Sequence, residues 1–101
     1  MATTSVIDNV ATEVIAAGGV RTNARAVWFE NYSTTVLMNI LPKYPGALAA
    51  PTITTAELSV PVAASATVPG RLVITDQYLA SLAWYAFQHS GGNVNLNAGR
   101  L

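Results

Sequence analysis

The chain has 101 residues, of which 51% are apolar and only 10% charged, and its formal net charge is zero. Ordinary soluble domains carry about 25% charged residues. This composition excludes intrinsic disorder, which needs low hydrophobicity and high net charge. It also argues against a nucleic-acid binder that depends on a basic excess. With no cysteine, disulfides, thiolate metal sites and thiol catalysis are excluded.

The length predicts one domain over residues 1–101, and residues 1–4 are a candidate extended arm. The start lacks the basic residues of a secretory signal, so none is expected. No apolar run reaches 18 residues, so no membrane-spanning helix is expected either. The shortage of charge predicts that other copies of the chain cover part of the surface.

Two structures are compatible with Ser5–Gly19. Helical spacing is shown by Val6, Ile7, Val10, Ala11, Val14 and Ile15, and the glycine pair at 18–19 is a plausible helix stop. The segment is also rich in β-branched residues, which favour a strand or a β-hairpin. A helix, a strand and a β-hairpin therefore all remain open here.

The middle of the chain has the pattern of β-strands. Residues 25–30 and 34–41 predict two strands, and the turn formers at 31–33 predict that they pair as an antiparallel hairpin. Prolines and a glycine make 42–51 a surface loop that could reach a neighbouring subunit. Residues 52–62 predict a strand that Pro61 places at an edge or an end.

Further strands and a helix are predicted in the second half. A turn at 68–70 precedes a short strand at 71–74. Thr75–His89 predicts a helix, with Thr75 as N-cap, Asp76 in the first turn and the glycines at 91–92 as the stop. Residues 93–101 predict a short strand or an extended arm that docks on a neighbour.

The predicted helix at 75–89 is apolar on nearly all sides, and it has no charge between Asp76 and His89. Such a helix is normally buried on more than one side. In so short a chain, the second buried side predicts a partner subunit. The predicted subunit interface comprises Tyr78, Leu79, Leu82, Trp84, Tyr85 and Phe87.

The sequence offers little catalytic chemistry. His89 is the one histidine, and no carboxylate lies at metal-ligand spacing from it. There is no Gly-x-Ser-x-Gly elbow, and the glycine pairs do not fit a phosphate-binding loop. We therefore expect no enzyme, metal, cofactor or small-molecule substrate.

A symmetric assembly could still align a few basic side chains into a surface for nucleic acid, although each chain is neutral. The alternative is that these are solvated charges at strand and loop edges. The candidate nucleic-acid-facing residues are Arg21, Arg25, Asn31, Tyr32, Lys43 and Arg71.

The overall style resembles small bacteriophage virion proteins, which are short, cysteine-free, poor in Lys and Glu, and rich in Ala, Val, Thr and Asn. The order of elements is similar to that of single-stranded RNA phage coat proteins. Residues 57–62 and 71–74 correspond to the late strands, 75–82 to the start of the C-terminal helix, and 91–101 to the tail. In that family two subunits interlock their C-terminal helices over a shared sheet whose inner face meets genomic RNA.

We therefore expect an α+β fold, an antiparallel β-sheet with a C-terminal helix, in an interlocked dimer. The expected function is that of a self-assembling coat subunit of an icosahedral shell, assembled in the host cytoplasm and located in the virion. A decoration or cement protein of a tailed phage fits the neutral charge at least as well. A small cellular oligomeric interaction module is the third possibility.

Overall fold

The computed structural model describes residues 2–18, 23–46, 49–56 and 58–101. It is built almost entirely of β-strands, with one short helix between the sixth and seventh strands. The elements are β1 Ala2–Val6, β2 Thr12–Ile15, β3 Ala26–Asn31, β4 Met38–Lys43, β5 Val60–Val62, β6 Gly70–Thr75, α1 Gln77–Ala80, β7 Ala83–Phe87 and β8 Val94–Arg100.

The strands form two four-stranded antiparallel sheets. Sheet I has the order β1-β8-β3-β6, and sheet II has the order β2-β7-β4-β5. The first four strands pair with the last four in reverse order, as β1·β8, β2·β7, β3·β6 and β4·β5. The chain is thus a long antiparallel ribbon wrapped into two facing sheets. This connectivity is that of an eight-stranded jelly roll.

The hydrophobic core lies between the two sheets. Phe29 of sheet I and Trp84 of sheet II are both fully buried and meet edge to face, with ring centroids 5.4 Å apart. The Trp84 indole donates a hydrogen bond of 2.8 Å to the carbonyl oxygen of Leu79, so its polar atom is satisfied. Further buried core residues are Val6, Ile15, Val27, Met38, Ile40, Val62, Ala86 and Leu96.

The helix predicted for Ser5–Gly19 is wrong over its described part, and so is the hairpin. β1 and β2 belong to different sheets, joined by a turn in which Asn9 has a φ of 63°. Asparagine is among the residues that adopt this left-handed conformation most readily. The β-branched side chains were therefore the better signal, because each strand packs on a partner from the far end of the chain.

The strand predicted at 25–30 is confirmed as β3, the strand predicted at 34–41 is confirmed only over 38–41, and the hairpin between them is wrong. β3 lies in sheet I and β4 in sheet II. Asn31 is fully buried, and its amide donates to the carbonyl oxygens of Val36 (2.8 Å) and Val62 (3.0 Å). These bonds hold the connection as it crosses between the sheets, so turn-forming residues did not imply strand pairing.

The long helix predicted for Thr75–His89 is wrong. α1 is a single turn, capped by Asp76, whose Oδ1 accepts from the Leu79 amide at 3.0 Å, and not by Thr75. The chain then enters β7, where side chains alternate between the core and the outer face. Pairing with both β2 and β4 supplies more burial than a continued helix could, and it overrides the helical spacing.

The tail is not an extended arm, since β8 is an inner strand of sheet I bonded to both β1 and β3. The predicted loop begins later than expected, because Pro42 and Lys43 belong to β4. The strand predicted at 52–62 is confined to β5, an edge strand that contains Pro61, and the edge position is confirmed. The strand predicted at 71–74 is confirmed as β6.

The antiparallel β-sheet of the expected fold is therefore confirmed, as two sheets and not one. Two of the elements that carried the likeness to RNA phage coat proteins are different, because the C-terminal helix is mostly strand and the tail is an inner strand. Within the described parts of the chain, no helix has the length and apolarity needed to cross a membrane.

Candidate interaction surface

The outer face of sheet II carries a row of aromatic side chains. Trp84 and Ala86 of β7 point into the core, so Tyr85 and Phe87 point outward, where both are half-buried. The register places Tyr85 between Glu13 of β2 and Leu41 of β4. Alternation along one strand thus divides its aromatics between the core and the surface.

A groove of about 540 Å³ runs beside this row, and we call it the tyrosine groove. Three tyrosines line it: Tyr85 from β7, Tyr78 from α1 and Tyr44 from the residue after β4. The rings of Tyr44 and Tyr78 are tilted against each other, with centroids 6.3 Å apart, and Tyr78 is 53% exposed. The remaining lining residues are Glu13, Ala17, Lys43, Pro45, Gly46, Ser81, Leu82 and Ala83.

One acid, one base and the tyrosine hydroxyls make the groove amphipathic. The Tyr85 hydroxyl donates to Glu13 Oε2 at 3.3 Å. Burial raises the pKa of Tyr85, and the nearby Glu13 carboxylate raises it further. Tyr85 therefore stays a neutral donor at physiological pH, and Lys43 supplies the opposite charge to Glu13. Large rings with a polar tip are typical of protein contact surfaces.

The residues predicted for a subunit interface separate into two groups. Tyr78 and Tyr85 line the tyrosine groove, and Phe87 lies two residues further along the outer face of β7, outside the groove lining. Leu79 packs against the core, and Leu82 and Trp84 are buried within this chain. The second group is apolar because it is buried within the protein itself, so its composition does not require a partner subunit. The structure does not contain a second chain, so an interface at the first group remains a proposal.

The residues predicted to face nucleic acid are not brought together. Asn31 is buried, and its amide is occupied by the backbone bonds given above. Tyr32 is 44% exposed and accepts from Asn97 Nδ2 at 2.7 Å. Arg71 is opposite Glu30 on sheet I, whereas Lys43 lies in the tyrosine groove on sheet II. Arg25 is exposed just before β3, and Arg21 lies outside the described residues.

Sequence reasoning missed the structural role of Arg100. Its guanidinium donates to the carbonyl oxygens of Ala80 (2.6 Å), Leu82 (3.2 Å) and Ala16. These contacts tie the end of β8 to the turn after α1 and to the chain after β2. No local sequence pattern predicts such a contact, because the three carbonyl groups are brought together only by the fold.

Asp8 also has a structural role that its position in the sequence does not predict. Its Oδ1 accepts from the amides of Ser90 (2.8 Å) and Gly91 (2.9 Å), and lies 3.6 Å from His89 Nδ1. The hydrogen bond from the Gly91 amide is the largest effect and lowers the pKa of Asp8; burial opposes it, and the Ser90 amide and the nearby His89 lower the pKa further. Through these hydrogen bonds, the carboxylate connects the β1–β2 turn to the β7–β8 turn.

The described residues contain no group of three or more His, Asp or Glu side chains that could hold a metal ion. Comparisons of the chain with models of protein families, with curated proteins and with solved structures found no match. By its strand order and its surface, the protein is a small jelly-roll β-sandwich with aromatic side chains on one outer face.

Proposed function

We propose that the protein is a structural virion subunit of a bacteriophage that assembles with copies of itself into a shell. The observation that carries the proposal is the jelly-roll connectivity, which viral capsid proteins share with lectins and cupins. The step from connectivity to function is an analogy at the level of the fold. Among these uses of the fold, low charge and outward-facing aromatic side chains favour the capsid, because such a surface is suited to burial against other subunits.

The tyrosine groove is the surface that we propose for subunit contact. Tyrosine and phenylalanine bury a large area with few rotatable bonds, so they are frequent at the centres of interfaces. Tyr78 and Tyr85 provide such a centre, with Phe87 two residues further along β7, and Glu13 and Lys43 provide a polar rim with both charges. In a shell, many weak copies of one contact act together.

A capsid decoration or cement protein is the second candidate, and the placement of the basic residues favours it. Lys43 and Arg71 lie on different sheets, and the chain is neutral. A coat that packages RNA benefits from a concentrated basic face. A cement protein binds a shell from outside and does not need one.

Purified protein tests these proposals by size-exclusion chromatography and negative-stain microscopy. We expect uniform particles of many copies for a coat, with a raised 260/280 nm absorbance ratio only if nucleic acid is packaged. A small oligomer without particles contradicts the coat and leaves the cement protein and the cellular oligomeric module. A stable monomer contradicts both virion roles.

A pair of variants tests the contact surface. Tyr85→Ser removes an outward ring of sheet II, and we expect it to reduce particle yield at least about tenfold, since aromatic centres carry most of the energy of an interface. Tyr32→Ser, an exposed tyrosine outside the tyrosine groove, is the matched control and should leave the yield unchanged. Equal yields from both variants would place the contact elsewhere.

A further inference from the structure

The four edge strands of the two sheets differ in how well they are protected. An unprotected edge offers unpaired N–H and C=O groups to another chain, and proteins block it with short strands, prolines, charges or bulges. β5 has three residues and contains Pro61. β2 has four residues, an exposed Glu13 and a break in register between Glu13 and Ile15. β1 has no proline, charge or register break either, but its exposed Ser5 is small and polar, so it offers little apolar surface.

β6 has one of these protections, the single charge of Arg71, and none of the others. It pairs with β3 without interruption from Gly70 to Thr75, contains no proline or bulge, and carries one charge, Arg71. In the described part of the chain, β3 is its one partner in the sheet. Every second residue of β6 therefore directs its N–H and C=O away from sheet I.

The side chains along this edge are apolar on both faces. Val73 is 42% exposed on the outer face, beside the half-buried Trp28 of β3. Leu72 and Ile74 face the core and pack against it, yet both remain half-exposed. A regular apolar edge of this length is a template for strand addition.

We propose that β6 pairs antiparallel with β6 of a second copy of this chain, about a twofold axis at Val73. The two copies of sheet I then form one eight-stranded sheet. Directly opposite residues share a face, so Val73 meets the partner's Val73 on the outside. Leu72 meets the partner's Ile74 on the core side, where each covers the exposed part of the other.

The charges fit this register. Arg71 lies opposite the partner's Thr75, so no like charges face each other across the pair in this register. A shift by one residue would place core-facing side chains opposite outward-facing ones. A shift by two residues would place Leu72 opposite the partner's Asp76 in one direction, and Arg71 opposite the partner's Val73 in the other. Because the net charge is zero, two copies do not repel each other as a whole.

This inference does not depend on the proposed virion function, because the β6 edge and the tyrosine groove lie on different sheets. A β6 dimer would form in a coat, a cement protein or a cellular module. Its test can therefore be run in the Tyr85→Ser background, where the proposed shell contact is removed. Loss of particles with retention of the dimer would separate the two proposals.

Cross-linking tests the register directly. The chain has no cysteine, so in a single-cysteine variant every disulfide joins two copies. Opposite Cβ atoms in an antiparallel pair are about 4.5–5.5 Å apart, close to the spacing that a disulfide needs. Under a mild oxidant, Val73→Cys should form dimers at least about tenfold faster than Val10→Cys, because pairing raises the effective thiol concentration. Val10 is 50% exposed and lies outside β6, which makes it the matched control.

Charge repulsion provides the second test. Val73→Lys places two lysines opposite each other, so sedimentation equilibrium should show a dimer dissociation constant raised at least about tenfold. Val10→Lys should leave that constant unchanged. Equal cross-linking at positions 73 and 10, or a wild-type chain that sediments as a monomer at millimolar concentration, would overturn the proposal. If Val73→Lys does not fold, the cross-linking comparison decides alone.

Discussion

At the scale of single residues, a few polar side chains fix the turns that connect the two sheets. Asn31 holds the β3–β4 connection, Arg100 collects carbonyl groups from three distant residues, and Asp8 joins two turns. Gln88 is buried and donates to the carbonyl oxygens of Val6 and Gly92. Buried polar groups are costly unless they are paired, so the two fully buried positions, Asn31 and Gln88, tolerate little change.

The Asp8 contact predicts a specific dependence of stability on pH. The pKa of Asp8 is lowered from its ordinary value of 3.8 in the folded protein, so folding favours the charged form. The Asp8 carboxylate contributes to the free energy of unfolding above pH 3.8, and this contribution is lost as the pH falls through the folded-state pKa. Asp8→Asn cannot titrate, so its unfolding free energy should fall less than that of the wild type between pH 6 and about pH 2.

Urea denaturation at a series of pH values measures this difference. The asparagine keeps a side-chain oxygen that can accept from Ser90 and Gly91, so the variant should still fold. If the free energy of unfolding falls equally with pH in the wild type and in Asp8→Asn, the charge of the carboxylate does not contribute to stability.

At the scale of elements, close packing within a sheet depends on glycine at one position. Gly99 of β8 lies opposite Trp28 of β3, and a Cβ built on it would be 2.9 Å from Trp28 Cζ2. The indole thus lies over the backbone of β8, where there is no side chain. This contact links the two strands that form the middle of sheet I.

Gly99→Ala should therefore move the Trp28 ring and destabilise the protein by about 1–3 kcal/mol, as overpacking does elsewhere. Denaturant titration followed by tryptophan fluorescence measures both effects. Gly92→Ala is the matched control, since nothing lies within 4 Å of a Cβ there and no loss is expected. Equal stability of the two variants would contradict the packing argument.

At the scale of the whole molecule, the first strand depends on the last. β1 pairs only with β8 among the described strands, and β8 also pairs with β3. Most stabilising contacts therefore join residues far apart in the chain, which makes the fold cooperative. Removal of one inner strand leaves both neighbours with unpaired backbone groups.

Deletion of residues 94–101 should therefore abolish the cooperative unfolding transition and the near-ultraviolet circular dichroism. A two-residue Gly-Ser insertion after Thr54, in an exposed turn, is the control and should keep both signals, because surface turns tolerate added length. A deletion variant that still unfolds cooperatively would show that sheet I does not need β8.

Much of the strand content was predictable from the sequence. β3 and β6 were predicted close to their observed places and β4 in part, because β-branched and aromatic runs favour a pleated, half-buried surface. The edge position of Pro61 also followed from local chemistry. Strand pairing did not, because Asn31 and Ser33 form turns equally well within a sheet and between sheets.

The sequence by itself determined a neutral, charge-poor, β-rich chain without cysteine. Only the tertiary structure decided which strands pair, that residues 83–87 form a strand between β2 and β4, and which aromatics face outward. The physical reason is that the apolar residues at 79–87 satisfy helical spacing and strand alternation alike. Burial against strands from distant parts of the chain selects between them.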